Sequence, residues 1–246
     1  MFDFSNQRVI VTGGTRGIGA GISLAFLQAG ATVISTYSSN DAAASGFRNK
    51  NEQYASKIDI QKYDVSSSKE VKEFFKYLDE KYPSLEVLVN NSGIRQDALM
   101  ALMQDEQWRK VLDVNLTGTF YMSREIISRF MVNRFGRIIN ISSLGGDIGF
   151  QGQANYAASK AGQLALTKSL SKEVAKKGIT VNCVSPGFID TELISDLPEE
   201  QRKEYLKMIP QKRFGSVEEV AYAVMFLATR EASYINGTSI TVAGGL

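Results

Sequence analysis

Two rhythms of apolar residues alternate along this chain. Short runs rich in β-branched and aliphatic residues fall at 8–12, 32–36, 57–63, 87–90, 137–142, 180–185 and 239–242. Several are apolar throughout, the pattern of strands buried on both faces. Between them, apolar positions recur at helical spacing. Ile18, Ile22, Ala25, Phe26 and Ala29 share one face, and Gly30 ends that helix. Residues 69–81 predict a charged amphipathic helix with Val71, Phe74, Phe75 and Leu78 inward. Residues 108–134 and 157–177 predict two long helices, the second stopping at Gly178. Such alternation predicts a doubly wound α/β fold: one parallel sheet of about seven strands with helices on both faces, in a single domain over 1–246. The ligand site of such a sheet lies beyond the carboxyl ends of its strands. One segment breaks the rhythm. Residues 188–214 contain Pro198, Pro210 and a charged helix-like piece at 198–208, but no strand. It reads as a substrate lid, with a plain surface excursion as the alternative.

Composition mostly excludes. At 246 residues, 43% hydrophobic and 22% charged, the chain suits one full-sized core. A net charge of +2 is too near neutral to imply nucleic-acid binding. No apolar run approaches the ~20 residues that span a bilayer, so no membrane partner is expected. The absence of histidine, with Cys183 as the single cysteine, removes the usual metal-ligand sets and any internal disulfide. The first strand begins almost at once, so no signal peptide is expected and a cytoplasmic location follows by default.

Candidate chemistry begins at a glycine-rich turn, Thr12-Gly13-Gly14-Thr15-Arg16-Gly17-Ile18-Gly19, between the first strand and the first helix. Small residues let backbone approach a pyrophosphate, and the helix start offers free N–H groups to the anion. With that turn the fold reads as Rossmann-type. The second strand carries no acid before Asp41 to hold a ribose 2′-hydroxyl, whereas Arg16 supplies a cation and Ser38 a hydroxyl. These residues favour NADPH over NADH.

Tyr156 and Lys160 stand four residues apart near the start of the helix after the fifth strand, and so share one face. A phenol titrates near 10 unperturbed, and a neighbouring ammonium lowers that value. Ser143, at the end of the fifth strand, can donate to a carbonyl oxygen as charge develops there. Ser142 competes for that role, but strand alternation lets one of the two point inward and the spacing to Tyr156 favours Ser143. A second Tyr-x-x-x-Lys pair, Tyr77 and Lys81, reads as surface.

With these residues the chain resembles the short-chain dehydrogenase/reductase family over its whole length. The likeness also rests on Asn90-Asn91-Ser92-Gly93, on Asn115 within Asp113-Val114-Asn115-Leu116, and on Pro186-Gly187. It implies Tyr156 as acid/base, Ser143 as carbonyl donor, Lys160 as ribose ligand and pKa modulator, and Asn115 as holder of a proton-relay water. By the same resemblance Gly13, Thr15, Arg16, Gly17, Ile18 and Gly19 bind the pyrophosphate side. Thr36, Ser38, Asp64 and Val65 surround the adenosine, and Asn91, Ser92 and Gly93 lie along the cofactor. Gly187, Ile189 and Thr191 meet the nicotinamide end. Ser92 departs from the family's usual Ala.

Within the family the chain is most similar to bacterial 3-oxoacyl-[acyl-carrier-protein] reductases, through residues 136–143, 152–156, 176–182 and 186–191. That likeness implies NADPH-dependent reduction of a β-ketoacyl thioester in fatty-acid elongation. It also implies an acyl carrier protein docked on Arg134 and Lys177 near the cleft, and a homotetramer. Met122, Ile126, Ile127, Phe130, Leu164 and Leu166 offer apolar surface for assembly, and core burial explains them equally well. The rival readings are reduction of another carbonyl (acetoacetyl-CoA, a steroid, a sugar or a quinone) and a non-catalytic cofactor sensor.

Overall fold

In the computed structural model, which describes residues 2–195 and 197–246, seven strands pair in parallel: β1 (Arg8–Val11), β2 (Thr32–Tyr37), β3 (Ile58–Lys62), β4 (Val87–Asn90), β5 (Gly136–Ile141), β6 (Ile179–Pro186) and β7 (Ser239–Val242). Their spatial order is β3-β2-β1-β4-β5-β6-β7. The order reverses between β1 and β4, each of which then builds outward, so the crevice for a ligand opens above those two strands.

Side-chain alternation along the strands divides the core in two. Val9, Val11, Val33, Val87, Val89 and Ile139 face α1 (Gly17–Gln28), α2 (Asp41–Lys50) and the last helix, Val217–Ala228. Ile10, Ile34, Leu88, Ile138 and Val181 face α3 (Ser68–Lys81) and two further helices, Gly118–Asn133 and Ala154–Val174. Val9 and Ile10 are adjacent yet lie in opposite layers, as a two-residue period demands.

The long helix expected over 108–134 is present with an interruption. It consists of α4 (Asp105–Leu112), a π-helical turn over Asp113–Thr117, and α5 (Gly118–Asn133). Beyond β5 come a short α6 (Gly145–Ile148) and then α7 (Ala154–Val174). The lid segment carries α8 (Glu192–Ser195) and α9 (Glu199–Met208), and Asp196 between them lies outside the described residues. After the lid, α10 (Val217–Ala228) starts at a capping box: Ser216 Oγ accepts from Glu219 N at 3.3 Å, and Ser216 N donates to Glu219 Oε2 at 2.8 Å.

Met122, Ile126 and Phe130 are fully buried in the second core layer, so of the two explanations core burial holds for these three. The exposed apolar side chains of α5 are Phe120, Met131 and Val132. Among the described residues no helix is long and apolar enough to cross a membrane, and no cluster of three or more His, Cys, Asp or Glu could hold a metal.

Candidate active site

The glycine turn is built by close backbone approach. Thr12 N donates to Val89 O at 3.0 Å, which carries β1 pairing up to the turn. Asn91 then ties the end of β4 to it. Its Nδ2 donates to Thr12 O at 2.9 Å and Gly13 O at 3.1 Å, while Thr12 Oγ1 accepts from Asn91 N and Ser92 N. A Cβ on Gly19 would stand 2.1 Å from Gly13 O and 2.4 Å from Asn91 Nδ2, so only glycine permits the packing. Gly13 takes a φ of +63°, open to glycine at no steric cost. Arg16, exposed at the N-cap of α1, gives no side-chain cap, and the first turn holds no acid. The helix start is therefore electropositive and free for an anion, and this cradle fits the pyrophosphate of a dinucleotide.

The neighbouring residues extend the cradle along the sheet. Gly14 N donates to Thr36 O at 2.9 Å, drawing the end of β2 to the turn, and Ser38 is exposed just beyond. Asp41, the first acid after β2, is already committed: it pairs with Lys62 at 2.9 Å and accepts from the Tyr37 hydroxyl at 2.9 Å. Asp64 folds its carboxylate onto Ser66, and buried Val65 packs where a Cβ on Gly118 would stand. On the far side Gly187 N bonds to Val242 O, and Ile189 is buried. Thr191 Cγ2 lies 3.9 Å from the point a Cβ on Gly17 would occupy, so the start of the lid reaches over the glycine turn.

The π-turn fixes Asn115, which is wholly buried. Such turns free backbone groups from the helical ladder and recur at functional sites. Asn115 Oδ1 accepts from Ile94 N at 2.8 Å, and its Nδ2 donates to Ile94 O and Ser159 Oγ, both at 3.0 Å. Its backbone carbonyl accepts from Gln163 Nε2 and Thr119 Oγ1, each at 2.8 Å. Gln163 Oε1 in turn accepts from Lys160 Nζ at 3.3 Å, and the ammonium also donates to Ile141 O at 2.7 Å. The ammonium and Asn115 Oδ1 each lie 3.5 Å from the point a Cβ on Gly93 would occupy. Asn115, Lys160 and Gly93 are thus brought together, with Gln163 bridging the first two.

The choice between the serines is decided by geometry. Ser142 Oγ turns to α7 and donates to Lys160 O at 3.0 Å. Ser143 Oγ lies 3.4 Å, and Tyr156 Cε1 3.5 Å, from where a Cβ on Gly145 would stand. Ser143 and Tyr156 therefore share one pocket.

Charge in that pocket differs from the sequence expectation in one respect. Lys160 was expected to acidify Tyr156. Instead burial raises the phenol above its ordinary value and outweighs the Ser143 hydroxyl and the Arg95 guanidinium, which both lower it; Asp97 raises it further. The ammonium stands 5.6 Å from the ring centre, yet the cation that pulls on the phenol is Arg95, 6.0 Å from it. Lys160 itself is pushed down to about 8 by burial. A phenol held above its usual value stays protonated at neutral pH, as a proton donor must.

The Arg134 backbone packs against Gly178, the residue after Lys177: a Cβ there would stand 2.5 Å from Arg134 O. Arg134 and Lys177 lie, however, at the amino ends of β5 and β6, whereas Ser143, Tyr156 and Gly187 follow the carboxyl ends. The expectation that they rim this chain's own cleft is corrected by the polarity of a parallel sheet. Tyr77 and Lys81 serve a structural end, joining Tyr82 and Gln61 around the carboxylate of Asp59. Gln163 and the ring of Phe150 escaped the sequence reading, and Arg95 entered it only as the start of a 95–104 loop that, with 188–214, would differ between reductases of different carbonyls. Gln163 alone carried a signal, as a polar residue one turn from Lys160 on a face that must be buried.

A family model described as Enoyl-(Acyl carrier protein) reductase matches residues 13–246. The chain is 44% identical to the acetoacetyl-CoA reductase of Shinella zoogloeoides, over 96% of both proteins. It is 43% identical to the 3-oxoacyl-[acyl-carrier-protein] reductase FabG of Rickettsia felis, over 100% of this chain and 99% of that protein. Identity to the protein of that name from Thermotoga maritima is 42%, over 96% of both.

Proposed function

We propose, from the premise that this chain belongs to the short-chain dehydrogenase/reductase family, that it is an NADPH-dependent oxidoreductase reducing the ketone of a β-ketoacyl thioester to the 3-hydroxyacyl form. The observation that carries this reading is the convergence of Ser143 Oγ and Tyr156 on one point beside Gly145, next to buried Lys160. NADPH, held on the glycine turn, would supply the hydride. Ser143 holds the carbonyl oxygen as the C=O π bond opens, and the Tyr156 hydroxyl gives that oxygen its proton. Lys160 and Asn115, tied through Gln163, keep the wall of the pocket in place. Arg16, Ser38 and the engaged state of Asp41 support the phosphorylated dinucleotide.

The names of the relatives support both a carrier-linked and a coenzyme-A-linked thioester. The test is oxidation of NADPH by acetoacetyl thioesters of each kind. Tyr156→Phe is expected to lower kcat by about 10²–10⁴-fold while leaving NADPH affinity within about twofold, because it removes an interaction used in the transition state. No oxidation with any β-ketoacyl thioester, or equal efficiency with NADH, counts against this reading. A non-catalytic sensor would have no use for the complete Asn115, Ser143, Tyr156 and Lys160 set.

We also infer a cytoplasmic homotetramer that receives its substrate on acyl carrier protein. Because Arg134 and Lys177 lie far from the cleft of their own chain, a carrier docked on them serves the cleft of a neighbouring copy. Arg134→Glu should then raise KM for carrier-linked substrate and spare the coenzyme A thioester. Equal KM changes for both substrates would remove the docking role.

A further inference from the structure

Three aromatic rings from distant parts of the chain stand in a row beside the catalytic pair. Phe150 precedes α7, Phe188 follows β6, and Tyr205 belongs to lid helix α9. Phe150 Cδ2 lies 3.5 Å from the same point beside Gly145 that Ser143 Oγ and Tyr156 Cε1 approach. Its ring is 5.9 Å from that of Phe188 and tilted by 55°. The Phe188 ring stacks on Tyr205 at 4.3 Å and 22°. The Tyr205 hydroxyl also accepts from Gln201 Nε2 at 3.1 Å, so the lid ring is held at both ends.

Rings at these separations are in contact. An alkyl chain lying between two ring faces needs about 3.5–4 Å on each side, and the stack leaves no such gap. Arg95 stands beside the catalytic tyrosine, its guanidinium 6.0 Å from the Tyr156 ring centre and paired with Asp97. The loop that carries Arg95 is pinned in turn: Asn155 Nδ2 donates to Gln96 O at 2.9 Å, Gln153 Nε2 to Asp97 Oδ2 at 3.1 Å, and Ala98 N to Gly152 O at 2.8 Å.

We propose that Phe150, Phe188 and Tyr205 form the end wall of the acyl pocket and restrict this protein to short β-ketoacyl groups of the acetoacetyl class. The inference rests on the reductase reading and names its substrate class. The wall is a specificity device because it joins the loop before α7 to two points of the lid segment, so lengthening the pocket requires that a ring be displaced. A poorly accommodated methylene in an apolar pocket changes efficiency by about 10-fold or more.

The experiment compares kcat/KM with NADPH for acetoacetyl, 3-oxooctanoyl and 3-oxododecanoyl thioesters of one carrier. It is run on the native protein, on Phe188→Ala and on Tyr205→Ala. Titration calorimetry of the corresponding 3-hydroxyacyl thioesters gives a readout that needs no turnover. The expected result is a fall of at least about tenfold from acetoacetyl to 3-oxooctanoyl, in both efficiency and affinity, and a flatter series in the variants. Should Phe188→Ala fail to fold, Tyr205→Ala on the half-buried face of α9 still carries the comparison. A flat native series overturns the wall, and so does a steep series that neither variant changes. Absence of turnover with every thioester overturns the reductase reading, and this inference with it.

Discussion

The guanidinium of Arg95 stands 6.0 Å from the ring centre of Tyr156, so the phenol has a cation from the loop after β4 as well as the ammonium of its own helix. Arg95 is held there by Asp97, which also accepts from Gln153. The charged and titratable groups that face Tyr156 are thus Arg95 and Asp97 from that loop and Lys160 from α7, with Tyr205 of the lid beyond Arg95.

Reduction needs the protonated phenol, so activity falls as pH rises through its pKa. Arg95 lowers that pKa and Asp97 raises it. Arg95→Gln should move the alkaline limb of kcat/KM up, and Asp97→Asn should move it down. Opposite signs in the two pH profiles are the signature. A common loss of rate with no movement of either limb would leave the pair a structural role only.

Two glycines should respond oppositely to alanine. Gly19→Ala drives a methyl into Gly13 O and Asn91 Nδ2, destabilising the fold by about 1–3 kcal/mol and weakening NADPH binding. Gly46 lies inside α2 with nothing within 4 Å of its Cβ position. Gly46→Ala should stabilise by about 0.5–1 kcal/mol, since alanine has the better helix propensity. Denaturant midpoints and a fluorescence titration with NADPH check both.

Lys160 links the site to stability. Its pKa falls from 10.5 to about 8 on folding because burial disfavours the ammonium. Between those two values the unfolded chain binds more protons than the folded one, so this residue makes stability rise with pH across that window. Below about 8 both states are protonated and the penalty is present in full. The melting temperature of the native protein should therefore gain on that of Lys160→Met as pH rises from 8 to 10.5. A constant difference between the two melting curves over that range would show that Lys160 titrates alike in both states.

Much of this was legible in one dimension. Strand runs apolar throughout marked a sheet buried on both faces, because a strand's side chains alternate whatever surrounds it. The run Gly13, Gly17, Gly19 marked the cradle, since only glycine tolerates such backbone approach. Tyr156 and Lys160 declared a shared face because a helix repeats every 3.6 residues. All three are local rules, in which the chain's own geometry fixes which side chains are neighbours. Other relations depend on which elements pack together. Arg95 reaches Tyr156 only because Asn155 and Gln153 pin its loop. Gln163 bridges Lys160 to Asn115 only because a π-turn presents a carbonyl to α7. Arg134 and Lys177, read as flanking the cleft, stand at the other end of the sheet because parallel strands send all their carboxyl ends one way. Phe150, Phe188 and Tyr205 carry no spacing that announces a wall. Their contact follows from folding two loops and a lid helix over the same strand ends, and that burial is settled in three dimensions.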